Sequence, residues 1–414
     1  MRRDPIAPIF FQKNRERLAA SVPAHSLILI RGNTLVARTD GLFYPFHQDT
    51  DFYYFTGVNL EDCALLILTD ETCSITEEYF FHPTSDNLEL VWTGRLSSLQ
   101  QILKSAAFRS YKSHDQFGQI FSDIRSQAKV FVMDEKQEHN LAASLNLKIS
   151  KPFTALKQYS KALRTTKQPV ELALLKRASQ ITTKGFERLI KRIQAGVFEY
   201  ELEATLSKCF IEHQADGFAY PPIIASGVSG ILLHYQENNQ MLRSGDLVLV
   251  DIGASYSNYK ADITRVYPVS GRFTSRQAQV YQIVLDTLRF LIKSIEPGMS
   301  WDTLEALCAK KITSGLVDLG LLSDSDLQHT PQAYKPFMPH RVGHLIGLDV
   351  HESTEETSLR PGMVLAIEPA IYIPKEGIAI RLEENILITD QGCKVLSEGI
   401  PLEIQEIEAL MSNK

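Results

Sequence analysis

The sequence predicts an α/β chain of two domains, and three observations carry that expectation. At 414 residues it exceeds one ordinary compact domain. Short aliphatic runs (SLILIRG at 26–32, CALLILTD at 63–70, KVFVMD at 129–134) alternate with polar segments of helical character in the N-terminal part. Strand-like text returns near the C-terminus, after two long helix patterns.

The N-terminal runs read as a small α/β domain over residues 1–160. Between 151 and 170 the text becomes KPFTALKQYSKALRTTKQPV, rich in lysine and threonine and closed by Pro169, which marks a boundary. A second domain then spans 165–414. It opens with an amphipathic helix pattern from Val170 to Ile193. From Gly245, GDLVLVDIGASYSNYKADITRVYPVSG carries two β-like runs. A helix pattern over 275–295 stops at Pro297-Gly298, and another follows at 301–320. PGMVLAIEPAIYI at 361–373 and GIAIRLEENILITD at 377–390 each read as a strand bounded by glycine.

Bulk properties exclude several classes. Net charge is -6, and lysine and arginine are spread without a basic block of the kind that tracks a phosphate backbone, so no nucleic-acid partner is expected. The five cysteines (63, 73, 209, 308, 393) form no CxxC, which argues against a disulfide framework or a zinc ribbon and for a reducing compartment. No apolar stretch approaches the ~18 residues of a membrane span, so a cytoplasmic chain without a membrane partner is expected. There is no GxxxxGK[ST], no GxGxxG after a strand and no GxSxG elbow, and ASGVSG at 225–230 fails that spacing. His351-Glu352 is not continued into HExxH.

The anomaly is a set of acids inside apolar runs: Asp251 in VLVDIG, Asp262 in KADITRV, Glu368 in LAIEPA and Glu383 in IRLEEN. One such acid alone reads equally as a strand-end carboxylate facing water. Four converging on one pocket would repel one another unless cations were present. Two divalent metals would neutralise them, with carboxylates bridging ions roughly 3.5–4 Å apart and a histidine completing one sphere. His344, in the segment HRVGHLIGLDVH at 340–351, is the candidate histidine.

The order Asp251, Asp262, His344, Glu368, Glu383, in those local contexts, resembles the five-ligand site of the proline-specific metallopeptidases, the family of methionine aminopeptidase, prolidase and aminopeptidase P. The likeness is greatest to the Xaa-Pro aminopeptidase (aminopeptidase P) branch. GLFYPFHQDTDFYYFTGVNLEDCALLIL at 41–68 looks like that branch's N-terminal domain, and ILLHYQEN at 231–238 like its substrate-side histidine segment. The resemblance implies a creatinase-like N-terminal α/β domain and a C-terminal pita-bread catalytic domain of α+β type.

It further implies that Asp251 chelates one metal, that Asp262 and Glu383 bridge both, and that His344 and Glu368 complete the other. An oxygen-dominated site with one imidazole suits Mn²⁺, with Co²⁺ or Zn²⁺ as alternatives. The implied reaction releases the first residue from peptides with proline second, by a hydroxide bridging the two metals. Glu368 would also carry a proton to the leaving nitrogen. His234 would stabilise the intermediate, His351 would move protons, and His340 would line the proline pocket.

Arg381 matches a family arginine that organises the site through a carboxylate, or forms a simple salt bridge to an acid such as Asp262 or Glu384. Tyr259 resembles an aromatic that steadies a metal-bound aspartate. Tyr220, beside Pro221 and Pro222, is a candidate wall of the proline pocket. Trp92, in LVWTGRL, resembles an aromatic at the edge of the site, the competing reading being ordinary core or dimer packing. Peptides are the expected partners, and a homodimer or homotetramer the expected assembly. Prolidase activity, on dipeptides only, is the alternative within the class. A pita-bread binding module without catalysis is the alternative outside it, and a creatinase-like activity is disfavoured because the metal ligands are kept.

Overall fold

The structure, a computed structural model, describes residues 6–83, 107–134, 153–323, 325–326, 330 and 332–412. The chain separates between Arg164 and Thr165 into two compact units. Trp92 lies outside the described residues.

The N-terminal unit opens with helix α1 (Pro8–Ser21), where Pro8 suits the first turn because an N–H there would have no helical partner. Phe11, Asn14, Arg15, Leu18 and Ala19 recur at helical spacing and form its buried face. The elements that follow are β1 (Ser26–Arg31), a hairpin of β2 (Ala37–Thr39) and β3 (Leu42–Phe43), α2 (Thr50–Thr56), β4 (Ala64–Thr69) and β5 (Ile75–His82). Then come β6 (Tyr111–Ser113), α3 (Phe117–Ile124), β7 (Val130–Met133), β8 (Phe153–Ala155) and α4 (Leu156–Thr165). Among the described residues the main sheet runs β6-β5-β4-β1-β7-β8, with β1 antiparallel to β4 and parallel to β7. Strands β1 and β4 are covered on both faces, which is why they read as continuous aliphatic runs rather than alternating ones. The buried Arg15 is matched locally: its Nε donates to Glu78 at 2.9 Å and its Nη1 to the Phe55 carbonyl at 3.0 Å.

The C-terminal unit begins with α5 (Pro169–Leu189) and α6 (Glu199–Glu212), then β9 (Gly217–Phe218) and β10 (Ile223–Ser226). Helix α5 is shorter than its amphipathic pattern, and Pro169 stands at its first position. After β11 (Leu247–Ile252), β12 (Ala254–Tyr256), β13 (Tyr259–Lys260) and β14 (Ile263–Pro268) come helices α7 (Ser275–Ser294) and α8 (Trp301–Asp318). Thr274 and Gln277 cap α7 reciprocally, each accepting from the other's backbone N–H. The remaining elements are β15 (Gly343–Leu345), β16 (Val364–Ile367), β17 (Ala370–Ile373), β18 (Ile378–Arg381), β19 (Glu384–Thr389), β20 (Gly392–Val395) and α9 (Ile404–Ser412). Strands β10-β11-β14 and β15-β16-β19-β20 form two antiparallel sheets, and β17 pairs with β18. No helix among the described residues is long and apolar enough to cross a membrane.

The two strands expected at 361–373 and 377–390 are each broken in two. The first breaks at Glu368-Pro369 and the second at Leu382-Glu383, because each run leaves one sheet and enters another: β16 and β19 pair together, as do β17 and β18. Pro369 has no N–H to give a ladder, which favours the break. Both breaks fall at acids.

Candidate metal centre and active site

Asp251 is the penultimate residue of β11, where it stands opposite Thr264 of β14 in the antiparallel ladder. Asp262 sits one residue before β14. The chain between them doubles back so tightly that a β-carbon on Gly253 would lie 1.6 Å from the Ala261 carbonyl oxygen, so only glycine fits. Glu368 follows β16, and Glu383 precedes β19. His344 lies on β15 opposite Ala366 of β16, and a β-carbon at the preceding Gly343 would meet the Ala366 carbonyl at 2.0 Å. Acids at strand ends from two separate sheets thus face one another.

They enclose a cavity of about 160 Å³ lined by His234, Asp251, Asp262, His340, His344, His351, Glu368, Arg381, Glu383 and Leu233. Possible ligand atoms of Asp251, Asp262 and Glu383 lie within 4.8 Å of one another, as do those of His344, Glu368 and Glu383. A third such group is Asp262, His344 and His351. The first two groups share Glu383. The Nδ1 of His344 is 3.1 Å from its neighbour's carbonyl, Leu345 O, so a neutral ring bonded there carries its proton on Nδ1. Its Nε2 lone pair then points toward Asp262 at 3.6 Å and Glu368 at 3.9 Å. An acceptor aimed at acceptors calls for a cation between them.

The charge ledger agrees. Asp251, Asp262 and Glu383 are 7%, 5% and 2% exposed, and among the described residues the one guanidinium lining the cavity is that of Arg381, itself buried. Burial and the neighbouring carboxylates push Asp262 and Glu383 well above the usual carboxylate range. Burial raises Glu368 to about 7 against the pull of Arg381. It pushes His340 and His344 down to about 4, and lowers His351 too, helped there by His234. The residues present therefore fit two divalent cations: an anionic, oxygen-rich set with one prepared imidazole.

Around the acids is a hydrogen-bonded frame. Arg381 reaches Asp251 at 2.5 Å, the Tyr372 hydroxyl at 2.7 Å and Thr264 Oγ1 at 3.2 Å. It pairs with Asp251, not with Asp262 or Glu384 as the simple salt-bridge reading had it. Thr264 donates to Glu383 at 2.7 Å, and Asn385 clamps both backbone polar groups of Asp262 at 3.0 and 2.6 Å. Tyr372 also stands 3.1 Å from His340 Nε2. Thr264, Tyr372 and Asn385 carried no signal in the sequence, since each is an ordinary residue of a strand.

Two tyrosines stand differently from expectation. The Tyr220 hydroxyl lies 2.5 Å from both Asp251 and Asp262 and so serves the aspartates rather than a ring wall. A phenol has one proton, so the second short contact needs a proton or a cation from elsewhere. The Tyr259 hydroxyl donates to Glu171 at 3.2 Å, in the first turn of α5. His234 and His351 are exposed at the rim, with the His351 ring perpendicular to that of His344 at 4.5 Å.

Comparison with known proteins bears on this site. Residues 173–390 match metallopeptidase family M24, and residues 11–132 match the aminopeptidase P N-terminal domain. The Xaa-Pro aminopeptidase of Haemophilus influenzae is 32% identical over 97% of both chains. Proline aminopeptidase P II from Yersinia pestis superposes with a TM-score of 0.92 at 30% identity, covering 99% of this chain and 100% of that one. Zn-substituted Escherichia coli aminopeptidase P in complex with product gives 0.91 at 30% identity, covering 99% of each.

Proposed function

The chain belongs to metallopeptidase family M24, and from that premise we propose that it is a metal-dependent exopeptidase releasing the first residue of peptides whose second residue is proline. The observation that carries the reading is the convergence of four carboxylates and His344 on one cavity holding a single guanidinium. Asp251, Asp262 and Glu383 would hold one divalent cation, and Asp262, His344, Glu368 and Glu383 the other, with Mn²⁺ the first choice for this donor set. When bound, such a pair supplies Lewis-acid polarisation of the scissile carbonyl and lowers the pKa of water.

The chain's own groups do the rest. Glu368, which lines the cavity, takes the proton of the attacking water and returns it to the leaving nitrogen. That transfer matters because an imino nitrogen leaves poorly unprotonated. His234 at the rim donates to the carbonyl oxygen as negative charge develops, and His351 beside it passes protons to solvent. Arg381, donating to Asp251 at 2.5 Å, holds that carboxylate in its orientation. His340, fixed by Tyr372, presents a ring edge to the proline, which has no N–H for an ordinary backbone grip. Trp92 is assigned the edge of the site on resemblance alone. The described cysteines are free thiols, in keeping with a cytoplasmic location, and a homodimer or homotetramer is the proposed assembly.

The test is hydrolysis of an Xaa-Pro dipeptide and an Xaa-Pro-Xaa tripeptide by the purified chain with Mn²⁺, with and without chelator. Cleavage of the tripeptide after its first residue, lost with chelator and restored by Mn²⁺, is expected. Cleavage of the dipeptide alone would make the chain a dipeptidase, and chelator-insensitive results with both would remove the metal mechanism.

A further inference from the structure

Glu352 stands eight positions after the ligand candidate His344, and the loop between them folds back upon itself. The backbone of Glu352 bridges to Leu345, its N–H donating to the Leu345 carbonyl at 2.9 Å. Its side chain then turns inward. One carboxylate oxygen accepts from the Leu348 N–H at 3.1 Å, packed so closely over Gly347 that a β-carbon there would meet that oxygen at 2.5 Å. The other oxygen takes the ammonium of Lys167 at 2.7 Å. The pair is buried, with side chains 1% and 6% exposed.

Lys167 is itself anchored, its backbone N–H bonding the Gly362 carbonyl at 2.8 Å just ahead of α5. Its charge also acts on Glu171 in the first turn of that helix, drawing down a carboxyl that burial has raised to about 6. Glu171 accepts from the Tyr259 hydroxyl, and Tyr259 stands on β13 three residues before Asp262. One cation thus ties together the loop that carries His351 and, through Glu171 and Tyr259, the segment that leads to Asp262.

We infer that Lys167 is a positioning residue for the reaction: through Glu352 it fixes the loop that holds the His351 imidazole over the cavity. Its effect is transmitted through Glu352 by the closed 345–352 loop. A buried ion pair of this kind is a weak source of stability but a firm source of geometry, since removing one partner leaves the other charged and unmatched. A misplacement of about 1 Å at a reacting group can cost on the order of 100-fold in rate. The inference rests on the proposed role of His351 in turnover.

The experiment is a double-mutant cycle on the full chain with Mn²⁺, reading kcat, KM, bound Mn²⁺ and the thermal midpoint for Lys167→Met, His351→Ala and both together. Methionine keeps the length of the stem and removes the charge. Lys167→Met is expected to lower kcat by about 10- to 100-fold, the range typical of outer-shell partners, with KM and Mn²⁺ stoichiometry unchanged. In the His351→Ala background the same change should lower kcat by less than about 2-fold, because coupled sites are not additive. Wild-type kcat in Lys167→Met, multiplicative losses in the double mutant, or loss of Mn²⁺ binding would each overturn the inference. Full turnover by His351→Ala would remove the His351 role itself, whereas an impaired His351→Ala beside an unimpaired Lys167→Met removes only that of Lys167. Should Lys167→Met fail to fold, the isosteric Glu352→Gln keeps the acceptor for Leu348 N–H and is read by the same criteria.

Discussion

Strand β14 separates two clusters of buried charge that are close in the sequence and opposite in character. Thr264 faces the acids of the cavity, while Arg265, one residue on, points to the other side of the strand. There Arg265 is fully buried and pairs with Glu384, whose second oxygen accepts from Ser397, and its Nη1 donates to the Glu383 carbonyl at 2.7 Å. In this cluster one cation meets one anion. On the cavity side four carboxylates surround Arg381 alone. Burial by itself does not mark a functional charge, since Arg265 and Glu384 are as buried as Asp262 and Glu383. What distinguishes the cavity is the deficit of positive charge.

The comparison breaks most visibly at neighbouring positions 383 and 384. Glu383→Gln is expected to reduce kcat/KM by about 10³-fold or more, since charge stabilisation by bound metal contributes several kcal/mol. The same change should leave the unfolding free energy of chelator-treated protein unchanged or raised, because it relieves repulsion. Activity above a tenth of wild type, measured with saturating Mn²⁺, would contradict the ligand assignment. On the balanced side, Arg265→Met strands Glu384 and should destabilise the chelated protein by about 3–5 kcal/mol in denaturant titrations. Adding Glu384→Gln should recover much of that loss, and no recovery would mean that Arg265 acts through packing rather than charge.

A smaller effect concerns pH. The raised carboxyl of Glu368, at about 7 against an ordinary 4.5, favours the folded state fully below pH 4.5 and loses that advantage as pH rises through 7. Asp262 and Glu383 shift in the same direction. His340 and His344, held down near 4, act oppositely, but only as pH falls below their ordinary 6.5. Between pH 6.5 and about 7.5 these carboxylates dominate the slope, ahead of Lys260, whose ammonium burial lowers to about 8, so the thermal midpoint of chelated protein should fall across that window, and Mn²⁺ should abolish the fall. A flat profile in chelator would show that the acids are matched without metal.

The acids were legible because they contradict their surroundings: VLVDIG and LAIEPA place a charge where a strand should be apolar throughout, and such a conflict needs a reason. The helices at 275 and 301 were legible from their apolar periodicity and from the Pro297-Gly298 breaker between them. The strand breaks at Glu368 and Leu382 were not, because a run that changes sheets keeps the same apolar text on both sides of the change. Thr264 and Tyr372 look like any β-strand residue, and only the fold brings them to Glu383 and Arg381. Lys167 was read as part of a polar boundary segment. Its charge is in fact buried, and nothing in KQPVE distinguishes a lysine in water from one between two carboxylates.

The placement of Glu383 just ahead of β19 also orders events in time. Asp251 and Asp262 leave the ribosome long before His344, Glu368 and Glu383, so a half-made chain presents aspartates with no second sheet to oppose them. Both proposed ion sites include Glu383, so neither is complete until the late strands have docked. A complete set of candidate ligands therefore exists only once nearly the whole chain has been made.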